Sequence, residues 1–191
     1  MNIKELAKQF GADEDIEIGG GLASAFAGYM AAELLMLVTR LSAGRNLGFT
    51  DEDYSRMNWE ARELAANLLA GAFEDIRAFG VIDAAYKLPK STDEEKKTRL
   101  QAIQAGAVYA ADVPLNNAAN CQKVLVMAQE LGGKSNPNCS SDLQCALALA
   151  REGIKGCVLN IEANLPIIKS ETEKARFTAF ITTMKENNTI Y

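Results

Sequence analysis

The stretch 52–86, EDYSRMNWEARELAANLLAGAFEDIRAFGVIDAAY, decides the fold class. Within it Met57, Ala61, Leu64, Ala65, Leu68, Ala72, Asp75, Phe79 and Ile82 recur at intervals that share one face of an α-helix, so the spacing predicts one long helix. Asp75 is out of character on that apolar stripe. A carboxylate in such a place is either a helix-edge side chain reaching water or a partner ion, or an ionisable group kept for chemistry.

The sequence on both sides of this segment repeats the helical pattern. Thirty Ala and 20 Leu favour helix by intrinsic propensity, and alternating runs of Val, Ile, Thr and aromatic residues are absent. Ser91-x-x-Glu94, Ser141-x-x-Gln144 and Ser170-x-x-Glu173 read as capping boxes, with Thr50-x-x-Asp53 a weaker relative. Pro89, Pro114, Pro137 and Pro166 all fall where periodic segments end, at positions that can spare an N–H. The expected helices are a short one at about 2–10, a buried one at 22–43, the long one at 52–86, then 92–111, 114–131, 141–153 and a last one from Ser170. No linker and no repeat of solenoid length interrupts them, so the expectation is all-α: a single-domain helical bundle over 1–191 with a long central helix. The apolar run 22–38 raises the question of a membrane span. It is short, rich in weakly apolar Ala and carries Glu33, whereas a span wants ~20 strongly apolar residues, so a buried bundle helix is expected and no membrane partner.

Composition narrows the chemistry. The 191 residues carry 20 Lys plus Arg against 25 Asp plus Glu, a net charge of −5, which supplies no field for nucleic acid. With no histidine, Ser-His-Asp and Cys-His nucleophile systems and most zinc sites are excluded. Proton transfer must fall to Asp, Glu, Lys, Tyr or Cys. Cys121, Cys139, Cys145 and Cys157 form no C-x-x-C pair, and residues 1–17 are polar, ending in Asp13-Glu14-Asp15, so reduced thiols, no export and a cytoplasmic location are expected. The sequons at Asn138 and Asn187 are therefore discarded.

Several local patterns invite a ligand. Leu131-Gly132-Gly133-Lys134-Ser135 imitates a phosphate loop, but Ala128 stands at the first glycine position and a helix precedes it, so a helix stop is expected. Gly19-Gly20-Gly21 before the apolar helix is either a tight turn into a closely packed helix or a place where backbone N–H groups approach an anion. In Ser140-Ser141-Asp142, the acid suits the first turn of a helix. Asn160 and Asn164 share a face if that stretch is helical, as a polar seam or as a ligand-reading pair.

Taken in order, these elements are distinctive: Gly19-Gly20-Gly21, Leu41-Ser42-Ala43-Gly44-Arg45, Asp75-x-x-Ala78-Phe79, Leu88-Pro89-Lys90, Ala102-Ile103-Gln104-x-Gly106 and Ala110-x-x-Val113-Pro114-Leu115. Ser141-Asp142-Leu143 and Asn160-x-x-x-Asn164-Leu165 complete the series. From about 19 to 165 the chain resembles the cyclodeaminase/cyclohydrolase family, which comprises the deaminase half of formiminotransferase-cyclodeaminase and free-standing bacterial methenyltetrahydrofolate cyclohydrolases. The resemblance implies an all-helical protein that assembles as a homodimer and acts on one-carbon units of a tetrahydrofolate substrate, polyglutamylated or not. Neither family reaction needs a metal or other cofactor, because both pass through a tetrahedral carbon that requires proton transfer and positioning.

By the same resemblance Asp75 is the acid–base group, and its apolar stripe would raise its pKa by desolvation. Gly19, Gly20, Gly21, Asp142, Asn160 and Asn164 become candidate substrate contacts, with Asp142 and the two amides either reading the pterin edge or holding Asp75. Arg45, Lys87, Lys90 and Lys155 are candidates for the glutamate tail. The chain departs from the family pattern in two places. Leu22 stands where the family has serine, with Ser24 on a different helix face, and Glu33 stands among small apolar residues, implying a buried partnered charge or a second ionisable group near the site. The alternative to an enzyme is a non-catalytic folate-binding or assembly module on the same scaffold.

Overall fold

The computed structural model describes residues 19–188 as α-helices α1 (Gly20–Ser42), α2 (Asp51–Lys87), α3 (Asp93–Glu130), α4 (Ser140–Asn164) and α5 (Glu171–Asn188), with a short 3-10 turn at Pro137–Cys139. The helix expected at 2–10 lies outside the described residues. Neighbouring helices run antiparallel: Asn58 donates to the Met36 carbonyl at 2.8 Å while Gly21 meets Asp75, Gly71 meets Asn117 while Ile82 meets Gly106, and Asn136, which caps the 3-10 turn before α4, reaches Ser42 at the end of α1. The first four helices therefore form an up-and-down bundle, and α5 packs across α3 and α4. Leu35, Val38, Leu68, Val124, Ile154 and Ile161 fill its centre, and Phe177 anchors α5 to it.

Small residues let the helices approach. A Cβ on Gly156 would sit 2.0 Å from Ser24 Oγ, and one on Gly28 would sit 2.3 Å from Cys121 Sγ, so α1 lies close against α4 and α3 only because those positions are bare. By length and a mean hydropathy of 1.6, α1 could cross a membrane; in the bundle it packs against α2, α3 and α4.

The helix starts at Thr50 and Ser170 follow the sequence expectation, and Thr50 with Asp53 forms a complete capping box. The others shift. The box expected at Ser91 is formed by Thr92 with Glu95, whose carboxylate accepts from both the Ser91 and Thr92 N–H groups. The Ser141 box does not form, because the 3-10 turn leads directly into α4 and the cap residue, Cys139, gives no side-chain bond. The helix expected to stop at Gly153 continues to Asn164, since Gly153 and Gly156 are contact points with α1 rather than a terminus.

The segments 92–111 and 114–131 are one 38-residue helix with Pro114 in its interior. The expected boundary at Pro114 is thus corrected: packing on both sides holds the helix continuous through a residue that cannot donate to the carbonyl four places back. Glu33 is also corrected, being exposed on the outer face of α1, where it hydrogen-bonds Tyr29 and, with burial as the larger cause, raises that phenol's pKa. Phe79, expected on the buried stripe, is 59% exposed.

Candidate active site

At one end of the bundle the N-terminus of α1, the C-terminal half of α2, Ala110 of α3 and the last turns of α4 enclose a cleft of about 810 Å³. Asp75 sits in its wall, half-buried, facing the first turn of α1. Burial raises its pKa above the ordinary 3.8, and a hydrogen bond from the Leu22 backbone N–H works in the opposite direction. The helix N-terminus favours the anion, while removal from water favours the acid, and removal from water prevails. A Cβ on Gly21 would lie 2.0 Å from Asp75 Oδ1, so this packing demands glycine. The glycine run makes the tight entry to a packed helix, and the backbone donor to Asp75 is the residue that follows it, Leu22.

Asn160 faces Gly20, whose Cβ would stand 3.3 Å from its Nδ2, and this amide donates to the Gly156 carbonyl at 2.7 Å. Asn164 Nδ2 donates twice, to the Asn160 carbonyl at 2.9 Å and across to the Ala110 carbonyl of α3 at 3.2 Å. Lys87 also lines the cleft, with Nζ 2.5 Å from Asp83 Oδ2. The structure therefore brings together Gly19, Gly20, Gly21, Asp75, Lys87, Asn160 and Asn164 in one cleft.

Other expected contacts lie elsewhere. Arg45 follows α1 at its far end, and 23 helical residues put it roughly 35 Å from the glycines at ~1.5 Å per residue. Asp142 begins α4, roughly 27 Å from Asn160 by the same rise, because the two mark opposite ends of that helix. Lys90 is exposed in the turn after α2, outside the cleft lining, and Lys155 is part-buried within α4, also outside it. Leu22 is buried against Ala25, Ala72 and Ile76, and Ser24 Oγ turns back to the Gly20 carbonyl at 2.5 Å.

Two residues were missed: Asp83 and, as a cleft residue, Phe79. The signal was available, since Asp75, Phe79, Asp83 and Lys87 recur every four residues and so share a face. Glu74, the neighbour of Asp75, is occupied by the Tyr109 hydroxyl and by Arg77 at 2.8 Å; those bonds, Tyr109 first, hold its pKa down. Behind the cleft, Cys157 stays a thiol: its hydrogen bond with Cys121, its burial and the charges of Cys121 and Asp75 all raise its pKa. A smaller cavity of about 460 Å³ between α2 and α3, lined by Trp59 and Val126 among others, contains none of the expected site residues.

Comparison with known proteins places the chain in a family. The family model described as Formiminotransferase-cyclodeaminase matches residues 2–182. The methenyltetrahydrofolate cyclohydrolase of Methylorubrum extorquens is 35% identical over 147 residues, 76% of this chain and 71% of that protein. The formimidoyltransferase-cyclodeaminase of Rattus norvegicus is 30% identical over 176 residues, 92% of this chain but 32% of the longer relative. In three dimensions, a formiminotetrahydrofolate cyclodeaminase from Thermotoga maritima superposes with a TM-score of 0.83 over 99% of this chain and 90% of that one, at 22% identity, a likeness of fold.

Proposed function

Because the chain belongs to the formiminotransferase-cyclodeaminase family, we propose that it is a folate one-carbon enzyme. It closes formiminotetrahydrofolate to methenyltetrahydrofolate with release of ammonia, hydrolyses methenyltetrahydrofolate to the formyl compound, or does both. The observation that carries this reading is a carboxyl with raised proton affinity, Asp75, in the wall of a cleft large enough for a pterin.

In cyclisation the second folate nitrogen attacks the formimino carbon, giving a tetrahedral carbon that bears three nitrogens. The attacking nitrogen gives up its proton to water as it adds. Asp75 in its acid form then protonates the departing amine as that carbon–nitrogen bond breaks and the methenyl cation forms, and the resulting carboxylate regains its proton from water. In hydrolysis the carboxylate takes one proton from water as oxygen adds to the methenyl carbon and returns it to the nitrogen that leaves on ring opening, while the remaining hydroxyl proton passes to solvent as the formyl C=O forms. Proton transfer of this kind is worth roughly 10²- to 10⁴-fold in rate.

The remaining lining serves binding. The exposed ring of Phe79 offers a face to the pterin, and the Asn160 amide offers its oxygen and its second N–H to the edge of that ring. Lys87 is the cleft cation for the glutamate tail, polyglutamylated or not. We further propose a homodimer, supported by apolar side chains on the outer faces of α2 and α3, among them Trp59, Phe73 and Val126. A cytoplasmic setting accords with four free cysteines.

Methenyltetrahydrofolate absorbs in the near ultraviolet, so its appearance from the formimino substrate and its loss by hydrolysis test both reactions on purified protein. Turnover that collapses in Asp75→Asn supports the proposal. Folate binding without turnover in the wild type would instead make the chain a folate-holding module.

A further inference from the structure

Pro114 leaves the Ala110 carbonyl without its helical donor. A carbonyl orphaned inside a bundle costs stability unless another donor reaches it. In this bundle Asn164 Nδ2 does so from α4 at 3.2 Å, while its other N–H closes on the Asn160 carbonyl at 2.9 Å. Both donors of that amide are therefore consumed within the protein.

A second clasp lies just beyond the first. Gln104 of α3 donates to the Ile167 carbonyl at 2.9 Å and accepts from the Lys169 N–H at 2.7 Å, so the chain leaving α4 is held to α3 as well. Between the clasps and the cleft stands Asn160, one turn before Asn164 and beside Gly20.

We propose that Asn164 is a positioning residue: its amide supplies the hydrogen bond that Pro114 withholds from Ala110, and this fixes the last turn of α4 so that Asn160 faces the substrate. The kinetic part of this inference rests on the folate reading above; the structural part does not. Asparagine at 164 and proline at 114 are then two halves of one device. Each makes sense in the presence of the other, which a double-mutant cycle can measure.

The experiment compares the full-length wild type, Asn164→Ala, Pro114→Ala and the double variant by thermal unfolding and by KM and kcat for the formimino and methenyl substrates. Asn164→Ala should lower the melting temperature by about 2–4 °C, the effect of a part-buried carbonyl left without its donor in a chain of this size, and raise KM roughly tenfold with a smaller loss of kcat. Adding Pro114→Ala restores the helical N–H, so the double variant should recover about half or more of both losses.

Strictly additive melting losses would overturn the proposal. Rescue of stability without rescue of KM would also overturn it, because Asn164 would then contact the substrate itself. Asn164→Asp keeps the oxygen and the volume while removing both donors. It should behave like Asn164→Ala, and wild-type KM in that variant would refute the role given to Nδ2. If no variant, wild type included, turns over folate, the functional proposal fails while coupling or additivity in the melting cycle still decides this one.

Discussion

Asp75 carries a cost that its replacement should expose. Burial raises its pKa above 3.8 in the folded protein, so between 3.8 and the raised value the native state binds more protons than the unfolded chain. The stability it confers is full below 3.8 and is lost as pH rises through the folded value. Asp75→Asn has no charge to desolvate, so it should melt above the wild type at neutral pH, and the gap should close as pH falls towards 3.8. The same variant should lose ~10²- to 10⁴-fold in kcat. Ammonia departure, which needs the acid, should slow as pH rises through that pKa, and hydrolysis, which needs the carboxylate, should speed up. A variant less stable than the wild type at neutral pH would mean that the Leu22 N–H bond outweighs burial. Glu33 provides the contrast: exposed on α1, it should leave stability within about ±0.5 kcal/mol on Glu33→Gln, as thermal unfolding can check.

Among the elements, the contact of α1 with α4 depends on bare backbone. Gly156→Ala would drive a methyl to within 2.0 Å of Ser24 Oγ, and it should cost about 1–3 kcal/mol by overpacking despite alanine's better helix propensity. Ser24→Ala in that background should recover part of the loss in denaturant unfolding. Element type was legible because every segment shows the helical period, and Thr50 and Ser170 marked their starts correctly. Ends were less legible, since glycine and proline have two meanings. Gly153 reads locally as a stop and Pro114 as a boundary, yet each is an interior residue whose role is set by a partner helix. No sequence window shows that Ser24 faces Gly156 or that Asn164 faces Ala110, because those pairings exist only after packing. The site was legible where its residues share a helix face or a chain entry, as with Asp75, Lys87 and the glycine run. Sequence order alone could not show that Arg45 and Asp142 belong to the opposite end.

Across the whole molecule, charge opposes the proposed substrate. The chain has a net charge of −5, and the cleft contains Asp75 and Asp83 beside Lys87, whose ammonium is already 2.5 Å from the Asp83 carboxylate. A substrate with carboxylates on its glutamate tail must compete with Asp83 for that cation. The Asp83–Lys87 pair is exposed, so the competition is modest, and Asp83→Asn should lower KM by about two- to fivefold at low salt. Screening weakens both the pair and the long-range repulsion, so the advantage should shrink as ionic strength rises towards ~0.15 M, where the Debye length is about 8 Å. Over the same range the wild type should gain in kcat/KM as the repulsive field is screened. Steady-state kinetics of wild type and Asp83→Asn at low and physiological salt measure both effects. A wild-type kcat/KM that falls with salt would mean that local attraction at Lys87 outweighs the field of the molecule, and an unchanged KM in Asp83→Asn would remove Lys87 from the recognition of the tail.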